Sequence, residues 1–462
     1  MGSAHTALPI PHPNFDNMRP STWMPGAKAA RARRTMDHMD LTESQAWLAR
    51  AVRRIPTSAQ TFSKSPLSFI QNVSPNFLQR AEGAFCWDVD NNRYIDLICG
   101  LGAVILGHAD PAVNQAAARQ MGSGISFSLP HTLEVELAEL LCDLIPCAEM
   151  VRFGKNGSDV TSAAVRVARA YTNRDKVARC GYHGWHDWFI GSTSRNLGVP
   201  ADVSNLTLRF PYNHVDGLHA LFTANPGGIA CVIMEPVSSE LPDSGYLEAV
   251  RDLCHRHGAL LIFDEIVTGF RIAPGGAQQY FGVTPDLACF GKAMGNGFPI
   301  SAVVGRADVM RLFEEVFFSG THGGEAVSLA ACRTTITELE RRDTYRTLQT
   351  VGATLQQGTR DIIQENNLHE CIDCPGLPAR NGLAFTGPQP QLLRSLFQQE
   401  AIQRGLLTHG NHMLTAAHTP QIVEEILSIY HEVFATLADA VIANDVAARL
   451  LGPPLQPIVR DL

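Results

Sequence analysis

Lysine is scarce in this sequence. Of 37 basic residues only Lys28, Lys64, Lys155, Lys176 and Lys292 are lysine, so arginine carries nearly all the positive charge. No apolar run reaches the roughly 18–20 residues that a membrane-spanning helix needs. The start lacks the basic lead and continuous apolar core of a secretory signal. Positive charge is not in excess either: the net charge of −8 argues against a nucleic-acid or anionic-membrane partner. The eleven cysteines are odd in number and scattered through apparent strands and helices, which points to free thiols and a reducing, cytoplasmic compartment. A dinucleotide fingerprint is missing, because Gly295-Asn-Gly297 follows a lysine and lacks its third glycine in register. Cys371-Ile-Asp-Cys374 has no second pair, and His183, His186, His409 and His412 read as loop residues, so no metal is expected. No internal repeat is evident.

What is present is ordinary globular material. The 462 residues, 45% apolar and 18% charged, suffice for two or three domains with full cores. Residues 1–42 carry five prolines and the basic run from Lys28 to Arg34, which reads as a tail or an arm docking on a partner subunit. Residues 43–85 read as an N-terminal segment packing with a small domain. From 86 to 335 short apolar runs alternate with amphipathic segments, the pattern of a mainly parallel sheet with helices on both faces. Examples are the strand-like Ile229–Met234 and Ala259–Phe263 around the helical Tyr246–His257, which Gly258 stops. From 336 to 462 helices dominate, notably Gln421–Ala440, and a smaller C-terminal α+β domain is expected.

One lysine is placed oddly. In CFGKAMGNGFP, Lys292 sits between the buried-strand run Asp286–Phe290 and a glycine loop, where burial disfavours a charged amine. In open parallel sheets ligands lie beyond the carboxyl ends of the strands. There the strand-like runs end in Glu235-Pro236, in Asp264-Glu265 and, through Gly291, in Lys292. Phe153-Gly-Lys-Asn-Gly-Ser158 adds a glycine turn opening a helix, whose N–H groups with the Ser158 hydroxyl suit a phosphate. Tyr182, at another strand end, offers a flat face for a planar ring. Each feature alone has a bland reading: an Asp264–Lys292 ion pair, a plain N-cap, a core tyrosine. Together they ask for a ligand with a phosphate, a planar ring, a basic ring nitrogen and an aldehyde, which is pyridoxal 5′-phosphate (PLP). Lys292 then forms the Schiff base and serves as proton-transfer base, and Asp264 keeps the ring nitrogen protonated.

The ordered series Asn156-Gly-Ser-Asp159, Tyr182-His-Gly184, Glu235-Pro236, Phe263–Arg271, Phe290-Gly-Lys292, Gly295-Asn-Gly-Phe-Pro299 and Gly320-Thr-His-Gly-Gly324 resembles the class III aminotransferases. Within them it is most similar to the glutamate-1-semialdehyde aminomutase branch, with Trp87–Asp96, the LGHADPAV stretch from Leu106 and Ala417-His-Thr419 in support. The resemblance implies PLP-dependent transferase fold type I and a homodimer with its active sites at the interface. It also implies roles: Lys292 for the Schiff base, Asp264 at the ring nitrogen, Gly157 and Ser158 at the phosphate, Tyr182 and Ile266 on the two ring faces, and Thr321 reaching the phosphate across the interface.

Three departures bear on substrate. Thr61 and Lys64 stand where the aminomutase has a serine and an arginine for the substrate carboxylate. The loop Thr408–Thr415 lacks the acid found there. Glu240 replaces an asparagine near the cofactor's phenolic oxygen. These changes favour an external aminotransferase moving an amine from an amino-acid donor to a carbonyl of a sugar-like or natural-product intermediate by a ping-pong cycle. Arg380 and Arg271 are candidate contacts for the donor carboxylate. The aminomutase is the alternative, an epimerase or decarboxylase on the same fold is a third possibility, and a non-catalytic cofactor-binding regulator is the reading from another class.

Overall fold

The computed structural model describes residues 39–238 and 240–456. The proline-rich arm expected over 1–42 therefore lies almost wholly outside the described residues. Seven strands form the central sheet: β1 (Met150–Gly154), β2 (Lys176–Cys180), β3 (Thr207–Arg209), β4 (Ile229–Met234), β5 (Leu260–Asp264), β6 (Leu287–Phe290) and β7 (Ser301–Gly305), in the order β1-β7-β6-β5-β4-β2-β3. All neighbours from β3 to β6 are parallel. β7 runs antiparallel to both β6 and β1, the one reversal in an otherwise parallel sheet.

The side chains of β4 explain its place. Every residue is buried, as expected of a strand covered on both faces. Cys231 and Ile233 join one core cluster with α1 (Gly157–Thr172), where Val160, Ala164 and Val167 pack. Val232 and Met234 join the other, with Leu247, Val250 and Leu253 of α2 (Tyr246–Arg256). The two-residue period of a strand separates these faces. Gly258, at φ +64, stops the chain after α2, a backbone that glycine adopts without strain.

Register sets the active edge. Met234 pairs with Phe263, and Phe263 and Asp264 pair with Ala288 and Cys289. The carboxyl ends of β4, β5 and β6 thus lie side by side, and Glu235, Asp264 and Lys292 emerge at one edge.

Towards the C-terminus the chain is helical: α3 (Ala326–Arg341), α4 (Thr344–Glu365), α5 (Pro390–Gln403) and α6 (Pro420–Ile442). A four-stranded sheet joins Leu78–Glu82, Phe85–Asp88 and Arg93–Asp96 to Leu406–Leu407, the last pair parallel. The N-terminal strands thereby meet the chain just after α5. No helix among the described residues is long and apolar enough to cross a membrane.

Candidate active site

The phosphate-type cradle begins at the start of α1. The Asn156 side chain accepts from the Asp159 backbone N–H while the Asp159 carboxylate accepts from the Asn156 N–H. This capping box fixes the entry turn, a device worth about 1 kcal/mol. A second Asp159 bond, from the Lys155 N–H at 3.1 Å, holds the preceding residue. The Ser158 hydroxyl accepts from the Trp185 N–H at 3.3 Å. Two glycines keep the cradle open. A β-carbon on Gly184 (φ +107) would fall 2.3 Å from Ser158 Oγ, and one on Gly157 would crowd Ile266 at 3.2 Å. A cradle that side chains would fill, at the positive end of a helix, fits a phosphate.

The lysine follows. Gly291 is fully extended (φ −179), and Lys292 itself has φ +41 in a short 3-10 turn. A left-handed lysine is a strained residue of the kind that collects at functional sites. Burial pushes its amine below the usual lysine range. The charges of Asp264 and Glu235 pull the other way, and those of Arg380 and Arg271 add to the lowering. A lysine held in this way is a ready nucleophile and proton carrier.

Asp264, at the end of β5, is buried, but not against Lys292. Its Oδ2 lies 2.7 Å from His183 Nδ1 and its Oδ1 accepts from the Ile266 N–H at 3.1 Å. His183 Nε2 lies 3.1 Å from the Cys180 carbonyl, and its own carbonyl accepts from Thr161 Oγ1 at 2.9 Å. A carbonyl can only accept, so in the Nε2 contact the ring is the donor. The expected bland alternative, an Asp264–Lys292 pair, is replaced by this Asp264–His183 pair. It leaves the lysine free for a cofactor.

Lys292, Asp264, Tyr182, Gly157, Ser158 and Ile266 all line one cavity of about 440 Å³, within the range of small-molecule sites. Tyr182 is 55% exposed, with its ring edge-on to Phe189 at 5.3 Å, so one broad face is open. Glu235 also lines this cavity and accepts from the Tyr182 N–H at 3.0 Å. Arg380, from the short strand Arg380–Gly382, reaches Glu235 at 3.3 Å and donates to the Val237 carbonyl.

Other expected site residues lie apart. Thr61 and Lys64 flank a short turn of the N-terminal segment, and neither lines the Lys292 cavity. Glu240 is exposed and outside that lining too. Thr321 is exposed and faces a separate hollow of about 1220 Å³, which shares Lys155 with the Lys292 cavity. Lys155 pairs there with Glu325 at 3.1 Å.

Of the four histidines read as loop residues, His183, His186 and His409 lie in loops, and His412 falls in the short strand Asn411–His412. His183 and His412 are buried and bonded, His186 Nδ1 lies 2.7 Å from the Ser162 hydroxyl, and His409 Nε2 bonds the Ser63 carbonyl at 3.0 Å. Composition could not reveal this. The one signal for His183 was its place between Tyr182 and Gly184 in the ordered motif series.

The model of the family "Aminotransferase class-III" matches residues 69–433. The chain belongs to the class III aminotransferases. It is accordingly a PLP-dependent enzyme of fold type I. A glutamate-1-semialdehyde 2,1-aminomutase of Alkaliphilus oremlandii is 41% identical over 421 residues, covering 85% of this chain and 98% of that protein. Among solved structures, the PLP internal aldimine form of the FumI protein of Sphingopyxis sp. MTA144 superposes with a TM-score of 0.81 at 29% identity, over 87% of this chain and 98% of that one. An omega-transaminase from Sphaerobacter thermophilus gives 0.79 at 26% identity, over 86% and 98%. The Lys292 cavity of this class III chain fits the cofactor by its open glycine cradle and its lysine of lowered proton affinity.

Proposed function

We propose that the chain is an external aminotransferase. It takes the amino group of an amino-acid donor and delivers it to a carbonyl of a second, hydroxyl-rich substrate. The donor becomes an oxo acid and the acceptor an amine, so the exchange balances without an outside oxidant.

The observation that carries this reading is the Arg380–Glu235 pair, whose acid lines the Lys292 cavity. A guanidinium fork suits a carboxylate in two-point contact. A donor carboxylate can take the place of Glu235 on Arg380, and an uncharged acceptor can leave the pair closed. One site then serves a charged and a neutral substrate in turn. The positions that would hold the aminomutase's substrate carboxylate, Thr61 and Lys64, lie outside the cavity lining, and the Thr408–Thr415 loop has no acid. Both facts support transfer between two molecules.

When bound, PLP supplies an aldehyde that carries the amine and a ring that withdraws electrons from the reacting carbon. Lys292 moves the proton, burial having lowered the proton affinity of its nitrogen. Asp264, steadied by His183, would hold the ring nitrogen. Gly157, Ser158 and the N–H groups of α1 would receive the phosphate. Tyr182 and Ile266 would hold the ring between them. The enzyme works as a homodimer in which Thr321 of the partner subunit completes the phosphate site. The exposed position of Thr321, outside its own chain's Lys292 cavity, supports that arrangement.

Intramolecular transfer on glutamate semialdehyde is the second reading, and the names of the curated relatives favour it over the first. Donor labelled with ¹⁵N separates the two. Intermolecular transfer puts the label into the aminated product. Unlabelled product, formed without any donor, overturns the proposal.

A further inference from the structure

Arg271 is fully buried. Its Nη1 donates to the Leu414 carbonyl at 2.9 Å and its Nη2 to the Gly102 carbonyl at 2.7 Å, while Nε finds no partner. Burial lowers its pKa to about 10, so it remains charged at neutral pH. Among the described residues no carboxylate pairs with it. A buried cation without a counter-ion is costly, and a neutral amide could bridge two carbonyls as well. The charge itself needs a use.

Gly102 shows what that charge meets. A β-carbon there would lie 3.3 Å from Met413 Sδ, 3.6 Å from Arg271 Nη2 and 3.9 Å from Lys292 Cδ. The space over Gly102 is therefore bordered by the guanidinium, the stem of the lysine and the loop that precedes α6. Gly102 also ends a run of positive φ, with Cys99 at +46, Gly100 at +63, Leu101 at +64 and Gly102 at +82. Such a run persists only where the surroundings hold it, and the Arg271 bond to the Gly102 carbonyl is one of the holds.

Arg271 is also one of the charges acting on Lys292, after burial and Arg380 on the lowering side. Asp264 and Glu235 raise its proton affinity, and Arg380 and Arg271 lower it. Asp264 is matched by His183 at 2.7 Å and Glu235 by Arg380 at 3.3 Å. Arg271 is left as the cation with no acid of its own.

We propose that Arg271 is a positioning residue for Lys292: its fork clamps the Gly102 and Leu414 carbonyls beside the lysine stem and places a buried cation without a carboxylate partner next to it. This rests on Lys292 being the cofactor-binding lysine. The test uses full-length holoenzyme with Arg271→Met and Arg271→Lys. Two readouts are followed: the pH titration of the visible band of the bound cofactor, and the pH dependence of PLP uptake by cofactor-stripped enzyme. Arg271→Met should move both midpoints upward by about one pH unit, since a nearby cation is lost. Arg271→Lys should leave the midpoints in place but cut kcat about tenfold with little change in donor KM, because one amine cannot hold both carbonyls. Unmoved midpoints in Arg271→Met overturn the charge role. If that variant does not fold, parental kcat in Arg271→Lys overturns the clamp. A parent enzyme that shows no visible band with PLP would sink the cofactor assignment instead, so the two failures are distinguishable.

Discussion

At the scale of single residues the account rests on Lys292 and Asp264. Lys292 was legible because lysine is rare here and because it follows a buried strand. Its left-handed backbone and the Asp264–His183 pair were not, since both depend on distant chain segments meeting. The buried lysine has a thermodynamic signature. Its folded pKa is depressed below the unfolded value of 10.5, so the unfolded state binds more protons between those two values and stability rises with pH there. Cofactor-free Lys292→Met should therefore melt higher than the cofactor-free parent at neutral pH. The gap should close as pH approaches 10.5. Calorimetry across pH checks this, and a gap independent of pH would deny the burden on the lysine. Asp264→Asn should keep part of its cofactor yet lose at least about a hundredfold in kcat, the scale expected when a key electrostatic partner is removed. Activity near the parent's would remove Asp264 from the ring nitrogen.

At the scale of elements, strands such as Ile229–Met234 announced themselves by being apolar throughout, and α1 by its glycine-bearing start. The antiparallel β7 and the parallel pairing of Arg93–Asp96 with Leu406–Leu407 gave no sequence signal. A two-residue strand has no periodicity to read, and strand direction is set by the path of the connection rather than by composition. The start of α1 makes a sharp prediction. Gly184→Ala would place a carbon 2.3 Å from Ser158 Oγ, so PLP affinity should fall about tenfold or more in a cofactor titration, the cost of roughly 1.4 kcal/mol. Unchanged affinity would show that the cradle is not the phosphate site.

The loop between α5 and α6 makes a second prediction. His412 is buried between Asn381 Oδ1 at 2.5 Å and the Tyr430 hydroxyl at 2.8 Å, and burial pushes its pKa down to about 3. His409 and His418 are pushed down to about 4 by the same cause. Because the folded pKa lies below the unfolded 6.5, stability is kept above pH 6.5 and lost as pH falls from there towards 4. His412→Gln should lower stability at pH 7 but flatten this acid limb, as urea melts at pH 7 and pH 5 would reveal. An equally steep limb would place the acid sensitivity elsewhere.

At the scale of the whole molecule, fold type and cofactor were readable because most of the widely spaced motifs converge on one sheet edge, the Gly320–Gly324 stretch lying apart. Substrate was not. Thr61, Lys64 and Glu240 were picked by sequence position, whereas Glu235, which lines the Lys292 cavity, is paired with Arg380 from 145 positions away, a meeting that no local pattern announces. The measurement that tests the central claim most directly is the visible spectrum of the purified enzyme during stepwise addition of L-glutamate and then 2-oxoglutarate. Intermolecular transfer predicts that the cofactor band is lost on the first addition, with one oxo acid released per site, and returns on the second. A band unmoved by L-glutamate or any other amino acid, in an enzyme that turns over glutamate semialdehyde with no donor present, would contradict it.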